Sequence, residues 1–325
     1  MSDRTSMVSR LAAINREFTQ YVVLNQEMGI TIGDLGDGRA TAHLPWAAEL
    51  VGDPCTGVLH PGVLSVLLDA TCGLACFQGL DAPMPIATLD LRIDMLRPAT
   101  PRQDLVAEAW CTRVGRSVVF VQGRALAGGV EIATCAASFM RDTPVSRDPR
   151  PAGPRPAGVD PVVPAPDQPA QPVSAAALRA LIVDARSGGS IAALVGAVPF
   201  LPWLGVSVRR DEGGLSSLLS FRPRIIGNPA VPAIHGGAIG ALLEVAGAFE
   251  VMLGHDTQVI PKTVDVSVDY LRPGRPMDTF ARARVLRSGR RVVNVAVEAW
   301  QESPNKPVAT GRLNLLVPPM GGAGG

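Results

Sequence analysis

Apolar residues fall along this chain in two patterns, and each pattern occurs twice. From Gly62 to Phe77 nearly every position is apolar or small, with no proline after Pro61, which predicts a helix buried on all sides. A second run of this kind extends from Gly236 to about Leu253. Alternating and β-branched runs after the first helix predict strands at 86 to 96, 104 to 114, 117 to 127 and 130 to 140. Their counterparts after the second lie at 260 to 271, 278 to 288, 291 to 301 and 307 to 317. Ahead of each helix stands a candidate hairpin. One joins 29–35 to 39–44 through Gly36-Asp37-Gly38, and the other joins 204–210 to 215–221 through Gly213-Gly214. One central helix and about six strands per half predict an α+β fold, a curved antiparallel sheet wrapped around a helix.

The halves are copies of each other. LHPGVLSVLLDATCGLACF at 59 to 77 matches IHGGAIGALLEVAGAFEVM at 234 to 252 with an offset of 175. The same offset pairs Asp90-Leu-Arg-Ile-Asp-Met-Leu-Arg-Pro with Asp265-Val-Ser-Val-Asp-Tyr-Leu-Arg-Pro, and an offset of 174 pairs Gly115-Arg116 with Gly289-Arg290. Between the copies, residues 143–172 contain ten prolines and no large aliphatic material beyond four valines, so they read as an extended linker. The expected division is a first domain at 1–142 and a second at 173–320.

Composition narrows the function. The 325 residues suit two domains, and 47% hydrophobic with 18% charged residues suits globular cores. Thirty basic against twenty-nine acidic residues leave a net charge of +1, without the excess that a nucleic-acid partner requires. Five cysteines, all in the first half and with no CxxC pair, argue against a disulfide scaffold or a zinc site. No GxGxxG follows a strand, so neither a metal nor a dinucleotide cofactor is expected. The N-terminal stretch does not read as a signal peptide, and no run of some 18 uninterrupted apolar residues appears. These features point to the cytoplasm, with no membrane partner.

The most specific motif is His235-Gly236-Gly237 with an acid, Glu244, nine residues after the histidine. The first copy carries His60-Pro61-Gly62 with Asp69 at the same spacing. With the repeated Leu-Arg-Pro strand ends and the strand order, the chain resembles the hotdog fold, and within it the phenylacetate-pathway (PaaI-like) acyl-CoA thioesterases. The resemblance covers both halves and leaves out the linker and termini. It implies a double hotdog packed as a pseudo-dimer, with helices adjacent, sheets joined edge to edge and active sites between the copies. It also implies an acyl-CoA substrate and self-association into a homo-oligomer of double units.

Thioester hydrolysis needs a base or nucleophile near the carbonyl carbon and donors for the oxygen as it gains charge. The free N–H groups of a helix start supply such donors, which fits Gly236, while Asp69 and Glu244 are the candidate acids. Asp69 would activate water or attack directly. The resemblance adds Asn228, which would polarise the carbonyl, and a hydroxyl that orients water, at Thr88 in one copy and Thr263 in the other. Across the pseudo-dimer, Asp69 and Thr88 join Asn228, His235 and Gly236 in a chemically complete set. The second set holds Glu244, Thr263 and His60, but Pro61 has no N–H to donate and Asp53 stands where Asn228 would. His235 and His60 either take part in catalysis or hold the helix start. Arg116 and Arg290 are candidates for coenzyme A phosphates, or are solvated hairpin tips. Two other readings stay open. One is an acyl-CoA or apolar-ligand binding protein without turnover. The other is an enoyl-CoA hydratase or dehydratase, prompted by Pro61-Gly62-Val63-Leu64.

Overall fold

A computed structural model describes residues 22–82, 84–141, 173–228, 232–255 and 257–317. The linker expected at 143–172 lies outside them. The first copy runs α1 (Val23–Glu27), β1 (Thr31–Gly36), β2 (Arg39–Leu44), α2 (Pro61–Gly79), β3 (Ile86–Met95), β4 (Leu105–Val114), β5 (Val118–Ala127) and β6 (Val130–Arg141). The second begins with three helices, α3 (Ala175–Arg186), α4 (Ile191–Gly196) and α5 (Phe200–Leu204). It continues with β7 (Val206–Asp211), β8 (Gly214–Leu219), α6 (Gly236–Gly254), β9 (Lys262–Tyr270), β10 (Thr279–Ser288), β11 (Val292–Trp300) and β12 (Pro307–Leu316). The strand expected from 204 starts two residues later, because Leu204 ends α5 and Gly205 turns the chain through φ 91°.

Twelve strands form one sheet in the order β1-β2-β4-β5-β6-β3-β9-β12-β11-β10-β8-β7, which reads the same from either end when the copies are exchanged. The seam is the antiparallel pair β3 and β9, from Asp90 opposite Asp269 to Asp94 opposite Asp265. Leu91, Ile93, Val266 and Val268 point from the seam into the core, and the alternate positions face outward. The two halves thus share one sheet and one hydrophobic core.

The long helices α2 and α6 pack against each other inside this sheet. Glycines let their first turns approach. A Cβ built on Gly237 would lie 2.5 Å from Val66 Cα, and one on Gly62 would lie 2.6 Å from Ala241 Cβ. Val66, Leu67, Leu68, Leu242 and Leu243 are fully buried around this contact, each worth about 1.5–3 kcal/mol of transfer free energy. By length and mean hydropathy both helices pass for membrane-spanning segments, although Asp69 interrupts the first and Glu244 and Glu250 the second. Here their apolar surface is instead mostly buried inside the molecule.

Each long helix is entered from a short ladder, Val51–Asp53 with Val58–Leu59 or Ile226–Asn228 with Ala233–Ile234. His60 N–H donates to Leu50 O at 2.9 Å and His235 N–H to Ile225 O at 2.8 Å, again at an offset of 175. Gly52 and Gly227 make room for this turn, since a Cβ on either would fall within 2.7 Å of the histidine Cα.

Candidate active site

Both histidines cap their helices. His60 Nδ1 accepts from Gly62 N–H at 3.0 Å, and His235 Nδ1 accepts from Gly237 N–H at 3.1 Å. An accepting Nδ1 assigns the proton of each neutral ring to Nε2. Burial pushes His60 down to about 3, and its ring stacks on Phe200 at 4.7 Å. Burial also lowers His235, against an upward pull from Asp69. The 3.3 Å approach of His235 Nδ1 to Asp69 Oδ2 is therefore a contact of neutral imidazole with carboxylate, both sharing the Gly237 N–H, and not an ion pair.

Asp69 reaches from α2 to the first turn of α6. Its Oδ2 accepts from Gly237 N–H at 2.9 Å, and its Oδ1 accepts from Thr88 Oγ1 at 3.0 Å. Only 6% of Asp69 is exposed. Thr88 can face the helix because β3 bulges between Thr88 and Asp90, which sends the two side chains to opposite faces of the sheet. No group among the described residues accepts from the Gly236 N–H, so a donor at the positive end of a 19-residue helix stands free beside a carboxylate. Gly237 N–H holds the acid, and the N–H of Gly236, the donor expected for the carbonyl, is left without an acceptor among the described residues. Gly236 also lacks a Cβ for a reason, since one would lie 2.8 Å from Asp69 Oδ2.

A further group is Tyr270, at the end of β9, whose hydroxyl donates to Gly236 O at 2.8 Å. Burial raises its phenol well above the ordinary value, with Asp69, Glu244 and Asp90 adding to the effect. Sequence reasoning passed over it, although the repeat sets it opposite Met95, a contrast as sharp as Gly236 against Pro61. Asn228 pairs through its backbone with Ala233 just ahead of His235, and its side chain lies outside the described residues.

The second set does not assemble as expected. Glu244 is 2% exposed, and its Oε1 accepts from Ser65 Oγ. Thr263 is not its partner; the hydroxyl comes from α2 because the longer glutamate reaches past the helix start. Glu244 Oε2 has no partner among the described residues, and burial raises the carboxyl to about 7, the Ser65 bond pulling it down. Asp53 turns into its own loop, where it accepts from Cys55 N–H at 3.0 Å and Thr56 Oγ1 at 2.7 Å, so it does not face the helix.

Arg116 and Arg290 are exposed on the β4–β5 and β10–β11 turns and touch neither acid. The β4–β5 turn nevertheless lies at the Thr88 end of the sheet, through the register Thr88–Phe139–Val119. Two hollows of about 370 and 630 Å³ open on the outer face of the sheet. Arg39, Trp110 and Arg124 line the first, and Arg92, Asp269 and Arg312 the second. Neither is lined by a residue of a helix start.

Known proteins match this architecture. The thioesterase superfamily model matches residues 56–133 and again 232–308, once in each copy. The medium/long-chain acyl-CoA thioesterase YigI of Escherichia coli is 33% identical over 119 residues, 32% of this chain and 77% of that protein. The YigI of Salmonella typhimurium matches to the same extent. A hot dog fold protein of unknown function from Alicyclobacillus acidocaldarius superposes with a TM-score of 0.57 at 18% identity, covering 91% of this chain and 98% of that one. With the tandem motif and the shared sheet, these likenesses make the chain a member of the thioesterase superfamily, carrying two hotdog copies in one polypeptide.

Proposed function

We propose that the protein hydrolyses an acyl-CoA thioester to a free acid and coenzyme A at one site, where Asp69 of the first copy meets the α6 start of the second. The observation that carries this reading is the Asp69 carboxylate, held by Gly237 N–H and Thr88 Oγ1 beside the free N–H of Gly236. The thioester carbonyl accepts from Gly236 N–H, which is aimed at the oxygen that gains charge. Asp69 takes a proton from water positioned with Thr88, and the water oxygen attacks the carbonyl carbon. Collapse of the tetrahedral adduct breaks the carbon–sulfur bond, and the departing thiolate takes the proton back from Asp69. Asn228 completes the polarisation of the carbonyl. His235 fixes the helix start and transfers no proton, consistent with its depressed basicity. Direct attack by Asp69 would instead expel the thiolate and form a mixed anhydride that water then hydrolyses; label found in the Asp69 carboxylate after a single turnover in ¹⁸O-water would establish that route, since the water route leaves none there.

The domain limits at 1–142 and 173–320, self-association of the double units and a cytoplasmic location belong to the same reading. Arg116 is its contact for the coenzyme A phosphates; Arg290 is the equivalent residue of the set that lacks a donor. The test is free-thiol release across a panel of short, long and aryl acyl-CoA substrates. Turnover of at least one class is expected. Tight binding with no thiol released from any of them would mark a ligand-binding protein. Loss of the conjugated thioester absorbance of an enoyl-CoA without thiol release would mark a hydratase.

A further inference from the structure

We propose that Tyr270 is a positioning residue of this site, whose hydroxyl fixes the Gly236–Gly237 peptide and thereby the direction in which the α6 start presents its N–H groups. The inference rests on the thioesterase reading and adds a residue to it.

Two hydrogen bonds grip one peptide plane from opposite edges. Tyr270 Oη donates to the Gly236 carbonyl at 2.8 Å, and the Gly237 N–H of the same peptide donates to Asp69 Oδ2 at 2.9 Å. A peptide unit is planar and rigid, so the two bonds together set its rotation. The free N–H of Gly236 belongs to the adjoining plane, hinged at a Cα that carries no side chain to limit its torsions. Without the hydroxyl, the Gly236–Gly237 peptide is held only at its N–H edge, by Asp69 Oδ2 and His235 Nδ1, and the adjoining plane only through the His235 carbonyl, which accepts from Ala238 and Ile239 N–H, so the oxyanion donor is aimed less tightly. The tyrosine ring adds a steric stop, since its Cζ lies 3.4 Å from where a Gly236 Cβ would be. Burial pushes its phenol well above its usual range, so the hydroxyl keeps its proton to donate at neutral pH.

The first copy shows that the fold does not need this hydroxyl. Met95 ends β3 opposite Ala133 just as Tyr270 ends β9 opposite Ala309, and Leu-Arg-Pro follows both. Met95 belongs with Pro61, the helix start without an N–H, while Tyr270 belongs with Gly236, the start that has one. The next turn of the helix follows the same division. Gly240 leaves space about 3.5 Å from the Tyr270 hydroxyl, whereas its counterpart Ser65 carries a side chain that binds Glu244. Three differences between the copies thus converge on one helix start.

The test compares wild type, Tyr270→Phe and Tyr270→Met in thiol release from the best substrate of the panel. Alongside it, Kd is measured for a thioether analogue that lacks the carbonyl. In both variants kcat is expected to fall about tenfold, the scale of one lost hydrogen bond. KM, the analogue Kd and the thermal midpoint should stay near wild type, a separation that a purely structural role would not give. Met95→Tyr, on the start without a donor, should leave kcat unchanged. A kcat within twofold of wild type in Tyr270→Phe overturns the proposal, as does a parallel loss of kcat, analogue binding and thermal stability in both variants. If wild type releases no thiol, the thioesterase reading fails. If wild type is active and Asp69→Asn is not, but Tyr270→Phe matches wild type, only the role of Tyr270 fails.

Discussion

Replacing Glu244 with Gln should make the protein more stable at neutral and alkaline pH, although it removes a hydrogen-bonded acid from the core. Folding places this carboxyl between the two long helices with Oε1 on Ser65 and Oε2 without a partner among the described residues, and burial raises it from 4.5 to about 7. Below 4.5 the acid is neutral in folded and unfolded chains alike, and it contributes no pH dependence. Above 4.5 the unfolded chain releases the proton while the folded chain keeps it, so stability falls with rising pH until the folded carboxyl ionises near 7. The gap between those values is worth about 3 kcal/mol. Glutamine stays neutral throughout and lacks this loss. His60 tilts stability the other way, because its buried ring resists protonation down to about 3 and costs stability as pH falls below 6.5. That slope is common to both proteins and cancels in their difference. Urea unfolding of wild type and Glu244→Gln at intervals from pH 4 to 8.5 measures that difference. It should shift in favour of the variant by about 3 kcal/mol between pH 4.5 and 7 and then level off. A difference independent of pH would refute the buried-acid argument.

Other substitutions separate the helix contact from the chemistry. Gly237→Ala drives a Cβ against the Val66 backbone, so the helices must move apart at a cost of about 3 kcal/mol in urea unfolding. Gly236→Pro suits the first position of a helix but removes the free N–H and crowds Asp69, so thiol release should fall by about 100-fold or more. The reciprocal Pro61→Gly should leave activity intact. Arg116→Ala should raise KM for an acyl-CoA several-fold without affecting an acyl-pantetheine, which lacks the nucleotide phosphates.

Much of this architecture was legible because duplication supplies its own control. The offset of 175 located both histidine caps, both acids and the strands that form the seam. Periodicity placed α2 and α6 to within a few residues, because nineteen largely buried positions leave a long apolar run. The helices α4 and α5 were missed because five or six residues interrupted by Pro199 and Pro202 are too short for a helical period to appear, even though Phe200 among them covers His60. The bulge that turns Thr88 inward leaves no mark in composition. Thr263 was expected on Glu244 by analogy with Thr88, but one extra methylene carries the glutamate to Ser65 instead. Tyr270 and Ser65 were readable in principle, as mismatches with Met95 and Gly240 in the same repeat that exposed Pro61.

The central claim is that the two copies contribute unequally to a single site, and paired substitution of the two equivalent acids tests it most directly. Thiol release should drop by about 100- to 10,000-fold in Asp69→Asn, the range for a lost general base, and by no more than a few-fold in Glu244→Gln. Equal losses in the two variants, or full activity in Asp69→Asn, would contradict it.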